Sequence, residues 1–400
     1  MMKYKLDLQL FAGDESVELL NSIRSVASTD YQARIPEATR TNIAQVGNTI
    51  LSLQADTNAF FSELLNRIGR TVIKKLDTMP DHYAVFGEER LDFGKFVQKI
   101  FVDIPSAHAF EGTATATPAS MLSIEKGKIA VEYTSVDRKL FYKTTVSVAE
   151  LKEAFVSVQA LDSLVMGLIE GMARAFSVDK YIMDTQVLGE QCKYVKSLKD
   201  LAPTANVKVI EIPASVARYN KTTGAIEWDT VGAKSFLKQL RKETGMLSFY
   251  HKLDYCPYDM VNEVAEVEDA SHQSLIKTIS AMRTPREKQI LGLEVSALAE
   301  IDVDALAVLF NLEKAELNTR VIELEDEAFG SYGSSTAERH IVGFLCNKDA
   351  VERGVSFEDS ESFKNPEHEY VNFWNHYWGY RAVSKFADFC PIVVTCYTPE

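Results

Sequence analysis

The sequence predicts an α+β fold, with one long helix and strands in separate stretches of the chain. Apolar residues recur every three or four positions from Leu151 to Phe176, the spacing of one face of a long helix. Two strand-like stretches lie between residues 90 and 146, and the stretch from Tyr370 to Thr395 is aromatic and β-branched. Helices and strands that occupy separate parts of a chain are typical of α+β proteins.

Length and composition set the class of protein. At 400 residues the chain exceeds a typical single core, so we expect two or three subdomains around shared elements. No apolar run reaches 18 residues, and the start MMKYKLDLQLFAG has too short an apolar stretch for a signal peptide, so we expect neither a membrane span nor export. Five widely spaced cysteines without a C-x-x-C pair predict reduced, mostly buried thiols: Cys192, Cys256, Cys346, Cys390 and Cys396.

The charge balance argues against tight nucleic-acid binding. The formal net charge is −14, and residues 300–370 alone contain 17 acidic and 6 basic residues, a local net of −11. A protein that grips DNA needs clustered lysines and arginines to displace counterions from phosphates, and no such cluster stands out. We therefore expect contact with DNA to be weak and sequence-independent, and a solvated acidic face is the simpler interpretation of the charge.

Two helical stretches are expected near the N-terminus. Asp14 is a candidate N-cap for a helix that carries apolar residues from Val17 to Val26. A second stretch, from about Asn42 to Gly69, has apolar residues near helical spacing, and Gly69 would be its C-cap.

Residues 90–146 predict a long hairpin. The stretches GKFVQKIFVDI and KIAVEYTSVDRKLFYKTTV are strand-like, with the small polar segment SAHAFEGTATATPAS between them. The alternation is imperfect, so other strand pairings stay open. Because an isolated two-stranded hairpin is only marginally stable in water, an arm of this length should lie on something outside itself, and a neighbouring subunit is the natural candidate.

The long helix has a recognisable start. In Ser147-Val148-Ala149-Glu150, the serine hydroxyl and the glutamate carboxylate can reciprocally satisfy two backbone N–H groups, which is a capping box. After about Gln191 short strands and helices alternate, including the strand-like stretches VKVIEI, RVIEL and HIVGFLC. The final aromatic stretch predicts two adjacent strands with a bend near Asp388.

Motifs of catalysis and metal binding are missing from the sequence. It contains no P-loop, dinucleotide-binding fingerprint, H-E-x-x-H pair or nucleophile elbow, and no two of its seven histidines are spaced i, i+4. Asp302 and Asp304 fit helix capping better than a cation site, so we expect no cofactor. The aromatic cluster from Phe373 to Tyr380 could stack bases, but buried packing or a subunit interface is favoured because few cations interleave it.

Six stretches, in this order, resemble the major capsid proteins of small phi29-like podoviruses. They are ESVELLNSIR, IAQVGNTIL, FFSELLNRIGRTVIKK, LKEAFVS, AEIDVDALAVLFN and YVNFWNHYWGYRAVSKFA. The resemblance covers most of the chain and implies the Hong Kong 97-type capsid fold. Some members carry an immunoglobulin-like domain after the shell domain, which is not expected here, and residues 250–292 resemble nothing in the family and are predicted to be an insertion.

The resemblance implies a division of the chain into the parts of a shell subunit. The predicted segments are an N-terminal arm with helices (1–75), an extension loop (76–146, its strands from Leu91), a spine helix of the peripheral domain (147–191), an axial domain (192–368) and C-terminal strands of the peripheral domain (369–400). The arm and the extension loop would reach neighbouring subunits. Candidate interface residues of the extension loop are Lys95, Lys99, His108, Phe110, Glu111, Lys126 and Arg138.

The implied function is structural, not enzymatic. The protein would self-assemble in the host bacterial cytoplasm into pentamers and hexamers of an icosahedral or prolate head shell around double-stranded DNA. The resemblance implies a scaffolding protein and a portal protein as partners. It implies no contact with a membrane. The generic surroundings of the loop lysines argue against chemical cross-linking. The alternatives are an encapsulin-like compartment of the same fold, which would enclose enzyme cargo, and a cytosolic α+β enzyme or binding protein.

Overall fold

The fold is known from a computed structural model. It describes residues 15–53, 55–56, 59–60, 63–64, 81–91, 96–102, 129–156, 158–201, 208–229, 232–249, 284–299, 320–333, 338–365 and 370–398. The described α-helices are α1 (Glu15–Val26), α2 (Thr29–Arg34), α3 (Ile43–Ser52), α4 (Val148–Ala154), α5 (Val158–Leu201), α6 (Gly232–Leu247) and α7 (Val295–Ala299).

The described strands occupy both halves of the chain. They are β1 (Glu89–Arg90), β2 (Phe96–Val102), β3 (Ile129–Ser135), β4 (Arg138–Ser147), β5 (Ile210–Ile212), β6 (Ala217–Asn220), β7 (Ala225–Trp228), β8 (Gln289–Glu294), β9 (Val321–Leu324), β10 (Ser331–Tyr332), β11 (Arg339–Asn347), β12 (Val351–Asn365), β13 (Tyr370–Val383) and β14 (Phe389–Tyr397). They form sheets of four, eight and two strands.

The first three helices belong to the core of their own subunit. The apolar faces of α1 and α3 join a buried cluster that also contains residues of β4, α5 and β13, including Val146, Met172 and Phe373. Helix α1 confirms the predicted first helix, and Asp14 lies outside the described residues. The predicted helix from Asn42 to Gly69 is interrupted, because α3 ends at Ser52 and the next residue has an extended backbone.

The predicted capping box starts α4. Ser147 N donates to a carboxylate oxygen of Glu150 at 2.8 Å, and Glu150 N donates to Ser147 Oγ at 3.1 Å. A short break follows at Phe155, whose buried ring packs beside Phe60 and lies so close to Gly47 that a Cβ there would come within 2.4 Å of it. Helix α5 then runs for 44 residues, roughly 66 Å. It extends beyond the predicted end at residue 191.

Helix α5 covers one face of the four-stranded sheet, whose strand order is β1-β12-β13-β4. The ring of Phe176 on α5 packs against Tyr377 of β13 with 4.5 Å between centroids, and Tyr142 of β4 meets the same ring edge-on at 6.2 Å. Aromatic pairs in this geometry stabilise a core beyond the area that they bury.

The eight-stranded sheet has the order β7-β6-β14-β11-β8-β9, with β10 beside β11 and β5 beside β14. Its central strands β8, β11 and β14 are almost entirely buried. One apolar cluster packs them against α6, and another packs them against α5 and residues 83–86. Buried thiols fill part of these cores: Cys192, Cys346 and Cys390 are free and buried, while Cys396 is partly exposed and Cys256 lies outside the described residues.

Two strand predictions are corrected by the pairing. The predicted hairpin divides at Val136 and Asp137, because β3 pairs antiparallel with β2 whereas β4 pairs with β13. The two strands predicted at the end of the chain are both present, but β13 lies in the four-stranded sheet and β14 in the eight-stranded sheet. Strands β12 and β13, on either side of the predicted domain boundary at 368, pair along their length.

Buried charges join α5 to this pair of strands. Asp184 of α5 lies between Arg353 of β12 and Arg381 of β13, at 2.8 Å from a guanidinium nitrogen of each, and all three side chains are at most 2% exposed. A buried ion that loses its partner leaves an uncompensated charge in the interior, which is strongly destabilising. These contacts therefore fix the positions of α5, β12 and β13 relative to one another.

The same arginines hold residues 81–91. Arg353 contacts Asp81 at 2.6 Å and donates to the carbonyl oxygen of Tyr83 at 2.7 Å, and Arg381 contacts Glu88 at 2.6 Å. Lys180 of α5 bridges the two acidic side chains, at 3.1 Å from Asp81 and 2.7 Å from Glu88. Three basic and three acidic groups thus form one network, named here the ionic junction.

Removing the central carboxylate should destabilise the subunit. We expect Asp184→Asn to lower the free energy of unfolding by about 3 kcal/mol, because two buried guanidinium groups lose the carboxylate that lies between them. Urea denaturation of unassembled subunits measures this change. Arg174→Gln is the matched control, since it removes an exposed i, i+4 ion pair from the same helix and should cost at most about 0.5 kcal/mol. Equal effects of the two variants would contradict the central role of Asp184.

The ionic junction also predicts how acid acts on the subunit. Burial raises the pKa of Asp81, but Arg353 and Lys180 outweigh it and hold that pKa below its ordinary value of 3.8. Because the folded-state pKa lies below the unfolded one, the stabilisation is present above pH 3.8 and is lost as the pH falls through the folded-state value. We expect Asp81→Asn to flatten the pH dependence of unfolding in this acid range, as measured by urea titrations at successive pH values.

Candidate functional site

The β2–β3 hairpin has two unlike faces. Side chains alternate along both strands, and the register places Gln98 opposite Tyr133 and Ile100 opposite Val131. One face, named here the outer face, carries Phe96 and Tyr133, each 66% exposed, with Ile100 at 55% and Val131 at 38%. Exposed apolar side chains in a contiguous row, rather than scattered singly, mark an interaction surface.

The opposite face of the hairpin is fastened to its own subunit by polar contacts. Lys99 forms an ion pair with Glu352 at 2.9 Å and donates to the carbonyl oxygen of Asp349 at 3.1 Å. Glu132 accepts hydrogen bonds from Ser384 Oγ at 2.6 Å and from Lys385 N at 3.0 Å. The base of the hairpin is thereby held against the ends of β12 and β13, with its outer face turned away from them.

The outer face continues into β4. Odd-numbered residues from 131 to 145 are all exposed, across the break between β3 and β4. On β4 these include Lys139, whose ammonium lies 4.7 Å from the ring centre of Trp378, and Lys143, 5.7 Å from that of Trp374. Phe141, between the lysines, is 62% exposed. The open face of the four-stranded sheet and the outer face of the hairpin therefore form one surface.

The aromatic cluster predicted near the end of the chain is split by this sheet. Phe373 and Tyr377 are buried in apolar clusters on the side of α5. Tyr380 is also buried, and burial raises its pKa to about 12. Trp374 and Trp378 point to the open face and lie under the two β4 lysines. The sequence did not reveal these cations because they come from a strand more than 200 positions earlier in the chain.

Signs of a catalytic or metal centre are not found in the described residues. No group of three or more histidine, cysteine, aspartate or glutamate side chains in this part of the chain could hold a metal ion. The buried His340 contacts both carboxylate oxygens of Glu294, at 2.8 and 3.0 Å, and stacks on Tyr219. This histidine is therefore a core residue whose ring is hydrogen-bonded and packed. Among the helices that the structure describes, none is long and apolar enough to cross a membrane.

Comparison with known proteins assigns the chain to a family. The sequence profile described as the Phi29-like phage major capsid protein matches residues 20–393. The chain belongs to this family. The major capsid protein of Streptococcus phage Cp-1 is 26% identical over 377 residues, which cover 93% of both chains. The major capsid protein of Bacillus phage B103 is 24% identical over 376 residues, which cover 94% of this chain and 72% of that relative.

The likeness extends to a solved capsid. The capsid structure of Staphylococcus phage Andhra superposes with a TM-score of 0.52 at 12% identity, covering 78% of this chain and 83% of that one. At this level of identity the likeness shows the fold, and it confirms the predicted α+β Hong Kong 97-type fold. The predicted function as the major capsid protein of a tailed phage is also confirmed, and the encapsulin-like compartment and the cytosolic enzyme are not favoured.

The residues predicted for the interface of this major capsid protein lie in different places. Lys99 is on the inner face of the hairpin, in contact with its own subunit, and Arg138 begins β4 opposite Gly379. The others lie outside the described residues: Lys95, His108, Phe110, Glu111 and Lys126. The prediction did not include Phe96, Ile100, Val131 and Tyr133, although the even spacing of Phe96 and Ile100 and the alternation of VEYT are a signal that could have found them.

The contacts of Lys99 predict a measurable effect on the hairpin. Lys99→Met should speed amide hydrogen exchange in β2 and β3 about five-fold, which corresponds to losing about 1 kcal/mol of anchoring. Lys288→Met is the matched control, because its ion pair with Asp349 is more than half exposed and lies outside the hairpin. Exchange rates that respond equally to both substitutions would show that Lys99 does not anchor the hairpin.

Proposed function

We propose that the outer face of the β2–β3 hairpin is a surface through which one capsid subunit packs on the next. The observation that carries the proposal is the asymmetry of the hairpin: its inner face is bonded to its own subunit, and its outer face exposes four apolar side chains in a row. Full burial of each such side chain contributes about 1.5–3 kcal/mol to the free energy of association. Packing against a neighbouring subunit would remove this surface from water.

The contact would be heterologous, so that repeated copies close into rings and then into a shell. The hairpin of one subunit and a different surface of its neighbour would meet around each pentamer and hexamer. The hairpin base is already ordered by polar contacts within the subunit, so less conformational entropy is lost when neighbours bind. The shell is proposed to be icosahedral or prolate and to enclose double-stranded DNA.

The two larger sheets support a division of the subunit. We assign the four-stranded sheet with α5 to the peripheral domain and the eight-stranded sheet with α6 to the axial domain. The extension loop comprises the β2–β3 hairpin and residues 103–128 between its strands. Pairing across residue 368 favours dividing the subunit by sheet, with β12 on the peripheral side and β14 on the axial side. Residues 250–283, in the proposed insertion, lie outside the described residues.

The remaining partners follow from the family and the charge. A scaffolding protein would guide the curvature of the shell during assembly in the host bacterial cytoplasm, and a portal protein would occupy one vertex. Contact with packaged DNA is proposed to be weak, because the net charge is −14 and phosphate binding requires clustered cations. The role is structural, without catalysis, cofactor or membrane.

Making the outer face polar should block assembly without unfolding the subunit. The variant Phe96→Gln/Ile100→Thr/Tyr133→Gln keeps strand-compatible side chains but removes most of the apolar area. We expect folded subunits with unchanged urea midpoints and a loss of closed shells of at least ten-fold. Shells are counted by negative-stain electron microscopy after co-expression with a scaffolding protein, and unassembled subunits are measured by size-exclusion chromatography.

The matched control removes equally exposed apolar side chains elsewhere. Val26, Val156 and Phe249 are 61%, 75% and 68% exposed, and none lies on the hairpin. The variant Val26→Thr/Val156→Thr/Phe249→Gln should assemble normally if the position of the apolar surface, rather than its total area, determines assembly. A normal yield of shells from the outer-face variant would overturn the proposal.

A further inference from the structure

Helix α6 carries its cations on one side. Its buried side chains, among them Phe236, Leu240 and Leu247, pack against the eight-stranded sheet. At about 3.6 residues per turn, four exposed side chains fall on the opposite side of the helix, within a sector of about 100°. These side chains, named here the basic face, are Lys234, Lys238, Arg241 and Lys242. The helix thus presents a row of four positive charges to its surroundings.

The charge of the basic face is not neutralised within the described part of the subunit. None of its four side chains forms an ion pair with another described residue. Glu243, the acidic residue of α6, is 4% exposed and pairs with Lys208 at 3.4 Å. Glu211 lies beside the helix, since its carbonyl oxygen accepts from Gln239 at 3.3 Å, and its carboxylate pairs with Lys196 at 3.5 Å. These two acids therefore pair with cations outside the basic face.

The basic face stands out against the charge of the whole chain. Residues 208–249 contain 7 basic and 4 acidic residues, a local net of +3, whereas the chain has a formal net charge of −14. Such a cluster does not stand out in the sequence, because the cations are spread along α6 and only the helix brings them onto one side.

The row of charges fits a phosphate backbone of any sequence. Lys234 and Lys242 are two helical turns apart, so the row is about 12 Å long. Duplex DNA carries one negative charge per about 1.7 Å of its axis, which places several phosphates within reach of a row of this length. Lysine and arginine have long side chains that adjust to the positions of phosphates, and phosphate contacts carry no sequence information.

An acidic protein segment is the alternative partner for such a face. The core of a protein interface is apolar and poor in charged residues, and polar groups surround it as a rim. By helical spacing, no apolar side chain lies between the four cations, and Met246, which is 47% exposed, lies beside the row and not within it. The basic face is therefore ionic throughout, and a uniform polyanion fits it better than a protein surface.

We propose that the basic face of α6 is the surface through which the subunit contacts phosphate groups of double-stranded DNA. The inference rests on the proposed function, in which DNA is the polyanion that the shell encloses. Four cations support a weak contact only, because neutralising four phosphates makes the affinity fall about 100-fold between about 50 and 200 mM salt. The contact is local, independent of DNA sequence and sensitive to salt.

Fluorescence anisotropy of a short labelled DNA duplex of mixed sequence, titrated with unassembled subunits, tests this assignment. The variant Lys234→Gln/Lys238→Gln/Arg241→Gln/Lys242→Gln should bind the duplex about 30-fold more weakly or worse at about 50 mM salt, and its remaining affinity should hardly change with salt. Glutamine is a good helix former, so the urea midpoint of this variant should equal that of the wild type and show that the subunit is folded.

The matched control removes the same number of exposed cations from other elements. The variant Arg174→Gln/Lys193→Gln/Lys288→Gln/Lys348→Gln has the same net charge as the α6 variant and should bind the duplex nearly as well as the wild type. Equal weakening by both variants would show that net charge alone determines binding and would overturn the proposal. So would a wild-type subunit that does not bind the duplex at about 50 mM salt.

Two further measurements separate DNA from protein partners. A labelled poly-glutamate peptide should bind wild-type subunits more weakly than the duplex does; tighter binding of the peptide, lost in the α6 variant, would assign the basic face to an acidic protein segment. The α6 variant should still form closed shells in negative-stain images, and a loss of shells with unchanged DNA binding would assign the face to a subunit contact. Because DNA binding is measured on unassembled subunits, its outcome is independent of whether the outer face of the hairpin mediates assembly.

Discussion

The buried pairing of Asp184 with Arg353 and Arg381 is the constraint on which the arrangement of the subunit depends. Apolar surfaces tolerate small displacements, because their attraction has no direction, whereas a buried carboxylate between two guanidinium groups has one satisfactory position. A shift of α5 along the sheet, or a register slip between β12 and β13, would leave at least one charge unpaired in the interior. The ionic junction thus selects one packing of helix on sheet.

This constraint reaches the proposed interface through residues 81–91. The junction holds that segment by Asp81 and Glu88, and β2 begins five residues after it, at Phe96. Further along, Lys99 contacts Glu352 near the start of β12, and Glu132 contacts Ser384 just after the end of β13. The hairpin is therefore fixed at its entry and along its inner face by the same pair of strands, and its outer face is presented in a defined direction before any neighbour arrives.

Local features were predictable from the sequence, and long-range pairings were not. The capping box of Ser147 and Glu150, helix α1 and the strand containing HIVGFLC follow from neighbouring residues, and the structure confirms them. The division of the predicted hairpin after β3 depends on β13, which no local pattern in β4 reveals. The ionic junction was missed for the same reason, although two arginines inside aromatic and β-branched strands are a signal that a buried acidic partner exists.

The place of β14 in the larger sheet has a consequence for the order in which the subunit folds. This strand lies between β11 and β6 and also pairs with β5, so residues 389–397 hold together strands that are formed from residues 210–220 and 339–347. On the ribosome, the earlier strands are synthesised long before the strand that joins them, and contacts of such high sequence separation form slowly. The eight-stranded sheet is completed only after residue 397 has emerged from the ribosome. A nascent or truncated chain therefore lacks a finished subunit to offer to a growing shell, which makes completion of synthesis a checkpoint for assembly.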